Sequence, residues 1–262
     1  MKKNRIINLI ITGMLLPVLN SCLGIFCVDG NGTSVTEERL LDSYSGISNE
    51  TSLNVFYEKG DTYSLFIEAD ENLLQYIKTS VKSGVLEIDI KGTTCIRPSR
   101  QAVAYITTPE LESLYLSGSG DMISDTLSGS RVDFVNTGSG NIICDFVYAN
   151  DTDLRISGSG DIAINNTESD DMLIKSSGTG DIEINGTTNK LDVNLSGSGQ
   201  VYADELESGI ADILISGSGN VSITVTDELY AVLTGSGNLY YYGSPTVTKT
   251  ISGSGNLIRL KK

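Results

Sequence analysis

The chain has 262 residues, with 18 basic and 33 acidic side chains, a formal net charge of −15, 28 glycines, and neither histidine nor tryptophan. Without histidine there is no Ser-His-Asp or Cys-His catalysis and no imidazole-ligated zinc, and the acidic balance repels nucleic acid. At 39% hydrophobic and 19% charged residues, the composition is that of a folding chain and not of a disordered one.

The first segment reads as an address. Lys2, Lys3 and Arg5 precede an apolar stretch from Ile6 to Leu19, broken by Asn8, Thr12, Gly13 and Pro17. A basic start and a short apolar run make a secretory signal, too short for a membrane span. It ends in Leu19-Asn20-Ser21-Cys22. This ending resembles the lipobox of bacterial lipoproteins, which implies cleavage of residues 1–21 and lipidation of Cys22. Cleavage there leaves 15 basic against 33 acidic residues, a net charge of −18. The alternative is an ordinary signal peptide with Cys22 kept as a thiol.

Residues 22–37 are rich in small and polar side chains and fit a tether. Besides Cys22 the mature chain carries Cys27, Cys95 and Cys144. One disulfide and one leftover thiol, or buried free thiols at Cys95 and Cys144, both fit, and the pairing stays open.

Residues 38–112 form a β-rich module without an internal repeat. Alternating segments at Leu53–Tyr57, Tyr63–Ile67, Leu86–Ile90 and Ala102–Ile106 predict strands. Asp70 is placed to cap a short helix at Leu73–Ile77. These strands are expected to cover the open first rung of the C-terminal half.

From 113 to 262 one motif recurs. Its copies begin at Gly118, Gly138, Gly158, Gly178, Gly197, Gly217, Gly235 and Gly253, in steps of 20, 20, 20, 19, 20, 18 and 18 residues. Each reads Gly-Ser-Gly-Asx, with Thr179 replacing Ser once and Gln200 replacing Asx once, and sixteen of the 28 glycines sit in these motifs. Period-two apolar runs flank every copy, as with Leu154 and Ile156 before one copy and Ile162 and Ile164 after it. A unit this short buries its apolar face only by stacking on its neighbours. The expected fold is all-β, a parallel β-solenoid of 18–20-residue coils, right-handed as parallel β connections are. An antiparallel meander is the competing architecture. The corner glycines are expected to supply positive φ. Arg259, Lys261 and Lys262 guard the last edge.

Stacked coils place the Asx residues in a ladder. Amide and carboxyl groups there bond the turn backbone or each other. Calcium on Asp161 and Asp181 is the alternative reading of the same ladder.

Residues 39–258 resemble the bacterial putative auto-transporter adhesin family with a head GIN domain. The resemblance rests on Tyr44-Ser45-Gly46-Ile47, Asp70 to Leu74, Val85-Leu86-Glu87-Ile88, Thr108-Pro109-Glu110-Leu111 and the Gly-Ser-Gly-Asx repeats. It implies a secreted, all-β, often lipid-anchored protein of the bacterial surface or periplasm, and brings no catalytic residues.

The expected function is therefore non-enzymatic. It is a lipid-anchored cell-envelope protein, in the outer membrane and facing periplasm or surface, that binds or scaffolds a glycan or protein partner. No catalytic residue, cofactor or metal site is expected. The candidate contact residues are Tyr240 and Tyr242, on one face of a strand with Tyr241 opposite, and Tyr202 and Tyr230 lie in earlier repeats. The competing reading is a carbohydrate-active enzyme using Asp151 with Asp153, or Asp170 with Asp171. A purely structural subunit of an envelope complex is a third.

Overall fold

The structure, a computed structural model, describes residues 27–261, so the leader and Cys22 lie outside the described residues. Among the described residues nineteen strands run in chain order: β1 (Cys27–Asp29), β2 (Ser34–Glu38), β3 (Gly46–Asn49), β4 (Asn54–Lys59), β5 (Ser64–Asp70), β6 (Ile77–Lys82), β7 (Val85–Ile90), β8 (Cys95–Arg97), β9 (Val103–Thr108) and β10 (Ser113–Leu116) make the first half. The second half holds β11 (Met122–Asn136), β12 (Ile142–Ile156), β13 (Ile162–Ser176), β14 (Ile182–Leu195), β15 (Val201–Ile215), β16 (Val221–Leu233), β17 (Leu239–Gly243), β18 (Thr246–Ile251) and β19 (Leu257–Arg259).

The repeats form a parallel β-solenoid. Each strand from β11 to β16 pairs with the next one coil later, so Ile142 lies on Ile162, Ile162 on Ile182, and Ile182 on Val201. Apolar residues therefore stack in columns. Phe134, Leu154, Ile174, Val193, Ile213 and Ala231 form one of them, and all are essentially inaccessible to solvent. Coils of 19 and 18 residues keep this register by dropping residues at the turn away from the Gly-Ser-Gly corner. The register shifts fall between Ile164 and Thr167, between Glu183 and Gly186, between Ala203 and Glu207, and between Ser208 and Ile210. At the first of these Gly186 takes φ +124°, a conformation that favours glycine.

The corner glycines work differently from the expectation. None of them has positive φ; among the described residues the positive-φ glycines are Gly32, Gly84, Gly92, Gly186 and Gly243. They are needed because successive corners approach backbone to backbone. A methyl group on Gly158 would overlap the Gly138 carbonyl oxygen, and one on Gly178 would overlap that of Gly158. Between them, Ser159 N donates to Gly138 O at 3.0 Å and Thr179 N to Gly158 O at 3.1 Å.

The N-terminal module is continuous with the solenoid. Strand β3 pairs in parallel with β10 and β7, and β4 pairs in parallel with β11 and β9. Beyond these, β5 runs antiparallel to β9, β2 antiparallel to β5, and β6 antiparallel to β7. This changes the pairing rule at the first end of the stack, while β18 and β19 at the other end each pair on one side only, with β16 and β17.

Two local expectations are corrected. Residues 27–29 and 34–37, read as tether, lie in strands β1 and β2, and β1 pairs with β8. Cys27 and Cys95 form a disulfide there, whereas Cys144 is a free, buried thiol. The short helix is a single 3-10 turn at Leu74–Tyr76 with no side-chain cap. Asp70 is buried and engaged elsewhere: its carboxylate accepts from Gly32 N (2.8 Å), Ser99 N (2.8 Å) and Ser99 Oγ (2.6 Å). It thereby latches the segment after β1 to the segment after β8.

Candidate functional site

The Asx ladder is built from the backbone outward. Asp121 N donates to Asn54 Oδ1, Asn141 N to Asp121 Oδ1, Asp161 N to Asn141 Oδ1 and Asp181 N to Asp161 Oδ1. The series continues through Gln200, Asn220 and Asn238 to Asn256. Each side-chain oxygen thus takes the N–H that a regular parallel ladder leaves at the corner. This is the hydrogen-bonded form of the ladder. Among the described residues, no group of three or more Cys, Asp or Glu side chains is placed to hold a metal ion.

One member of each acidic pair is tied into the scaffold as well. Asp153 is buried between Arg131 and Arg155, and Arg155 also reaches Asp133 at 3.2 Å. Asp170 accepts from Asn150 Nδ2 and Asn189 Nδ2, both at 3.0 Å, one coil on either side. Paired-carboxylate hydrolysis needs one group free to protonate a leaving oxygen and another facing it across the substrate. Asp153 and Asp170 are instead occupied by guanidinium and amide donors.

Tyr240 and Tyr242 both lie on the outer side of β17, half-buried, and Tyr241 packs against the core between them. The repeat does not bring them beside the other tyrosines. Ser222 separates Tyr240 from Tyr202, and Tyr230 stands in a different column, between Asp212 and Thr248.

A more continuous aromatic surface lies at the other end. The outward side chains Phe66, Tyr105, Phe56, Ile123 and Ile143 are paired in register on five adjacent strands, and Ala163 comes next on a sixth. Phe66 and Phe56 are 37% exposed and Tyr105 is 43% exposed, large values for aromatic rings on a sheet. The Phe56 and Tyr105 rings stack with centroids 5.9 Å apart and planes 19° apart. Two residues along each strand, on the same face, polar groups border the row. Glu68, Asn54, Asp121 and Asn141 stand on one side, and Ser64, Thr107, Glu58, Asp125 and Asp145 on the other. Three of the predicted strands contain these aromatics, and their alternation already turns Phe56, Phe66 and Tyr105 outward. What joins them into one row is the cross-strand register.

The sequence profile of a family described as putative auto-transporter adhesin, head GIN domain, matches residues 43–245. The chain belongs to that family. Its fold is that of solved relatives. One is a putative lipid binding protein from Parabacteroides distasonis, 29% identical, with a TM-score of 0.83 over 90% of this chain and 100% of that one. Another is a putative adhesin from Parabacteroides merdae, 24% identical, with a TM-score of 0.85 over 89% of this chain and 98% of that one. A putative adhesin from Bacteroides fragilis is 21% identical, with a TM-score of 0.68 over 89% of this chain and 100% of that one. Among curated proteins none matches the chain. Membership of that family makes this an adhesin-like protein of the cell envelope or surface, and the solved structures share its fold.

Proposed function

We propose that this adhesin-like protein is a non-enzymatic binding module, held in the cell envelope by a lipid on Cys22 and contacting a glycan or protein partner through its outer sheet face. The observation that carries the reading is the outward row of exposed Phe66, Tyr105 and Phe56 with half-buried Ile123 and Ile143, the Phe56 and Tyr105 rings stacked within it. Aromatic rings combine large contact area with few rotatable bonds, which suits recognition. The leader ending in Ser21-Cys22 supports lipidation, and two or more acyl chains anchor a protein durably. Occupied carboxylates at Asp153 and Asp170 support a non-catalytic role.

The test compares cells producing the native chain with cells producing Cys22→Ser. The native chain should incorporate labelled palmitate, fractionate with the envelope and confer adhesion to immobilised mucin or matrix. The variant should be soluble and confer none. A native chain that stays unlabelled and soluble overturns the anchor, and envelope-bound protein without adhesion overturns the binding role.

A further inference from the structure

The row on the first sheet face specifies the chemistry of its ligand. We infer that Phe66, Tyr105, Phe56, Ile123 and Ile143 form a linear binding site for an uncharged glycan chain lying along the solenoid axis, an inference that rests on the binding role proposed above.

The geometry is that of a track. Neighbouring side chains in the row stand one strand apart, so five strands span about 19 Å at a spacing of about 4.8 Å. It is one side chain wide, because the flanking positions on every strand are polar or small except for Val103. A protein partner of standard size needs on the order of 800 Å² on each side, a broad patch and not a strip. A sugar chain needs a strip. Each pyranose offers a face of C–H groups that packs on an aromatic ring, and hydroxyls around its rim that donate hydrogen bonds. The borders supply the acceptors: Glu68 and Asp121 on one side, Glu58, Asp125 and Asp145 on the other. Bonds from hydroxyl to carboxylate are among the stronger neutral-to-charged ones. Some of that capacity is already in use: Asp121 accepts from Asn141 N, Glu68 from Ser34 Oγ, Asp125 from Lys59 N and Asp145 from Asn165 Nδ2, which holds these carboxylates in place while leaving further lone pairs open.

Charge selects within the class. The borders carry carboxylates on both sides of the rings, in a chain with net charge −15. Sulfated or uronic polymers are repelled there, and uncharged glycans are not. The aromatics at the far end do not repeat the pattern, because Glu183 and Ser222 interrupt the same column before Tyr240.

The test uses the mature chain carrying Cys22→Ser on an array of uncharged, uronic and sulfated glycans, with Phe56→Ala, Tyr105→Ala, Phe56→Tyr, and Tyr240→Ala with Tyr242→Ala. Circular dichroism and thermal midpoints establish that each variant is folded. The expected result is saturable binding to uncharged chains, at least tenfold weaker in Phe56→Ala and Tyr105→Ala, retained in Phe56→Tyr and unchanged in the Tyr240 and Tyr242 variants. Binding that prefers anionic glycans, or that survives loss of both rings, overturns the site. Binding to zwitterionic phosphatidylcholine vesicles that the same ring variants abolish, without glycan binding, reassigns the row to a lipid surface. If no glycan binds while cells still adhere through the native chain, the glycan track fails and the broader binding role stands.

Discussion

Asp161 Oδ1 accepts the backbone N–H of Asp181 at 2.7 Å, while the N–H of Asp161 itself donates to Asn141 Oδ1 at 3.0 Å. The acceptor that matters is an oxygen two bonds from Cβ, which Asn supplies as well as Asp. Asp161→Asn should therefore leave the thermal midpoint unchanged, with calcium or with chelator. Asp161→Ala leaves the Asp181 N–H to water and should cost about 0.5–1.5 kcal/mol, a fall of a few degrees in a chain this size. A midpoint that rises with calcium only when Asp161 and Asp181 are both intact would restore the metal reading.

Gly158→Ala forces a methyl group into the Gly138 carbonyl, and both atoms belong to backbone locked in the stack. The expected loss is about 3 kcal/mol or more, through displaced coils. Ser159→Ala, on an exposed side chain between Gly158 and Gly160, should change stability by less than about 0.5 kcal/mol. Urea titration of the two variants separates close approach from any general sensitivity of the corner.

The Cys27–Cys95 bond closes a loop of 68 residues. Chain-entropy arguments give such a link about 4 kcal/mol, and dithiothreitol should lower the thermal midpoint accordingly. Burial pushes the Cys144 thiol up to about 11, so it should resist alkylation in the folded protein. Mass spectrometry after alkylation of unfolded, unreduced protein should find Cys144 labelled and Cys27 and Cys95 protected.

Hydrogen bonds from the Ser99 hydroxyl and N–H, with one from Gly32, hold the Asp70 carboxyl below the usual carboxylate range. A depressed folded-state value means that the ionised form stabilises the fold. That contribution is complete above the ordinary range and is lost as pH falls through the folded value. Protection factors of the amides near Gly32 and Ser99, taken relative to the intrinsic exchange rate at each pH, should fall on acidification below about pH 4. In Asp70→Asn they should be low already at neutral pH.

Lys249 stands in the column that holds Phe134, Leu154, Ile174, Val193, Ile213 and Ala231 in earlier coils. A charge aimed at the core side of an edge strand makes further stacking costly. Lys249→Ile should convert the protein from a species that does not associate through this end into end-to-end oligomers, visible by size-exclusion chromatography. A variant that elutes as the native chain does would remove this role from Lys249.

The repeat half was legible because every coil repeats the same evidence. Eight motifs in register and alternating runs such as Leu191, Val193 and Leu195 leave few ways to stack. The reason for the corner glycines was hidden, since close approach and positive φ select the same residue. The first half was legible strand by strand but not in its pairing. Nothing local in Phe66 or Tyr105 tells that β5 and β9 run antiparallel and set those rings side by side. Asp70 misled for a related reason. Its position before Leu73 and Leu74 suits a cap, but its partners Gly32 and Ser99 are distant in sequence.

Because each corner joins to the next through the same backbone and Asx contacts, the junction between two coils is nearly indifferent to which coils they are. A gene segment encoding one whole coil can then be gained or lost while both ends keep their chemistry, moving the far end by about 4.8 Å. Length is an adjustable property of this molecule, like the number of links in a chain. The row on Phe56 and Tyr105 sits near the fixed end, where such changes leave it untouched.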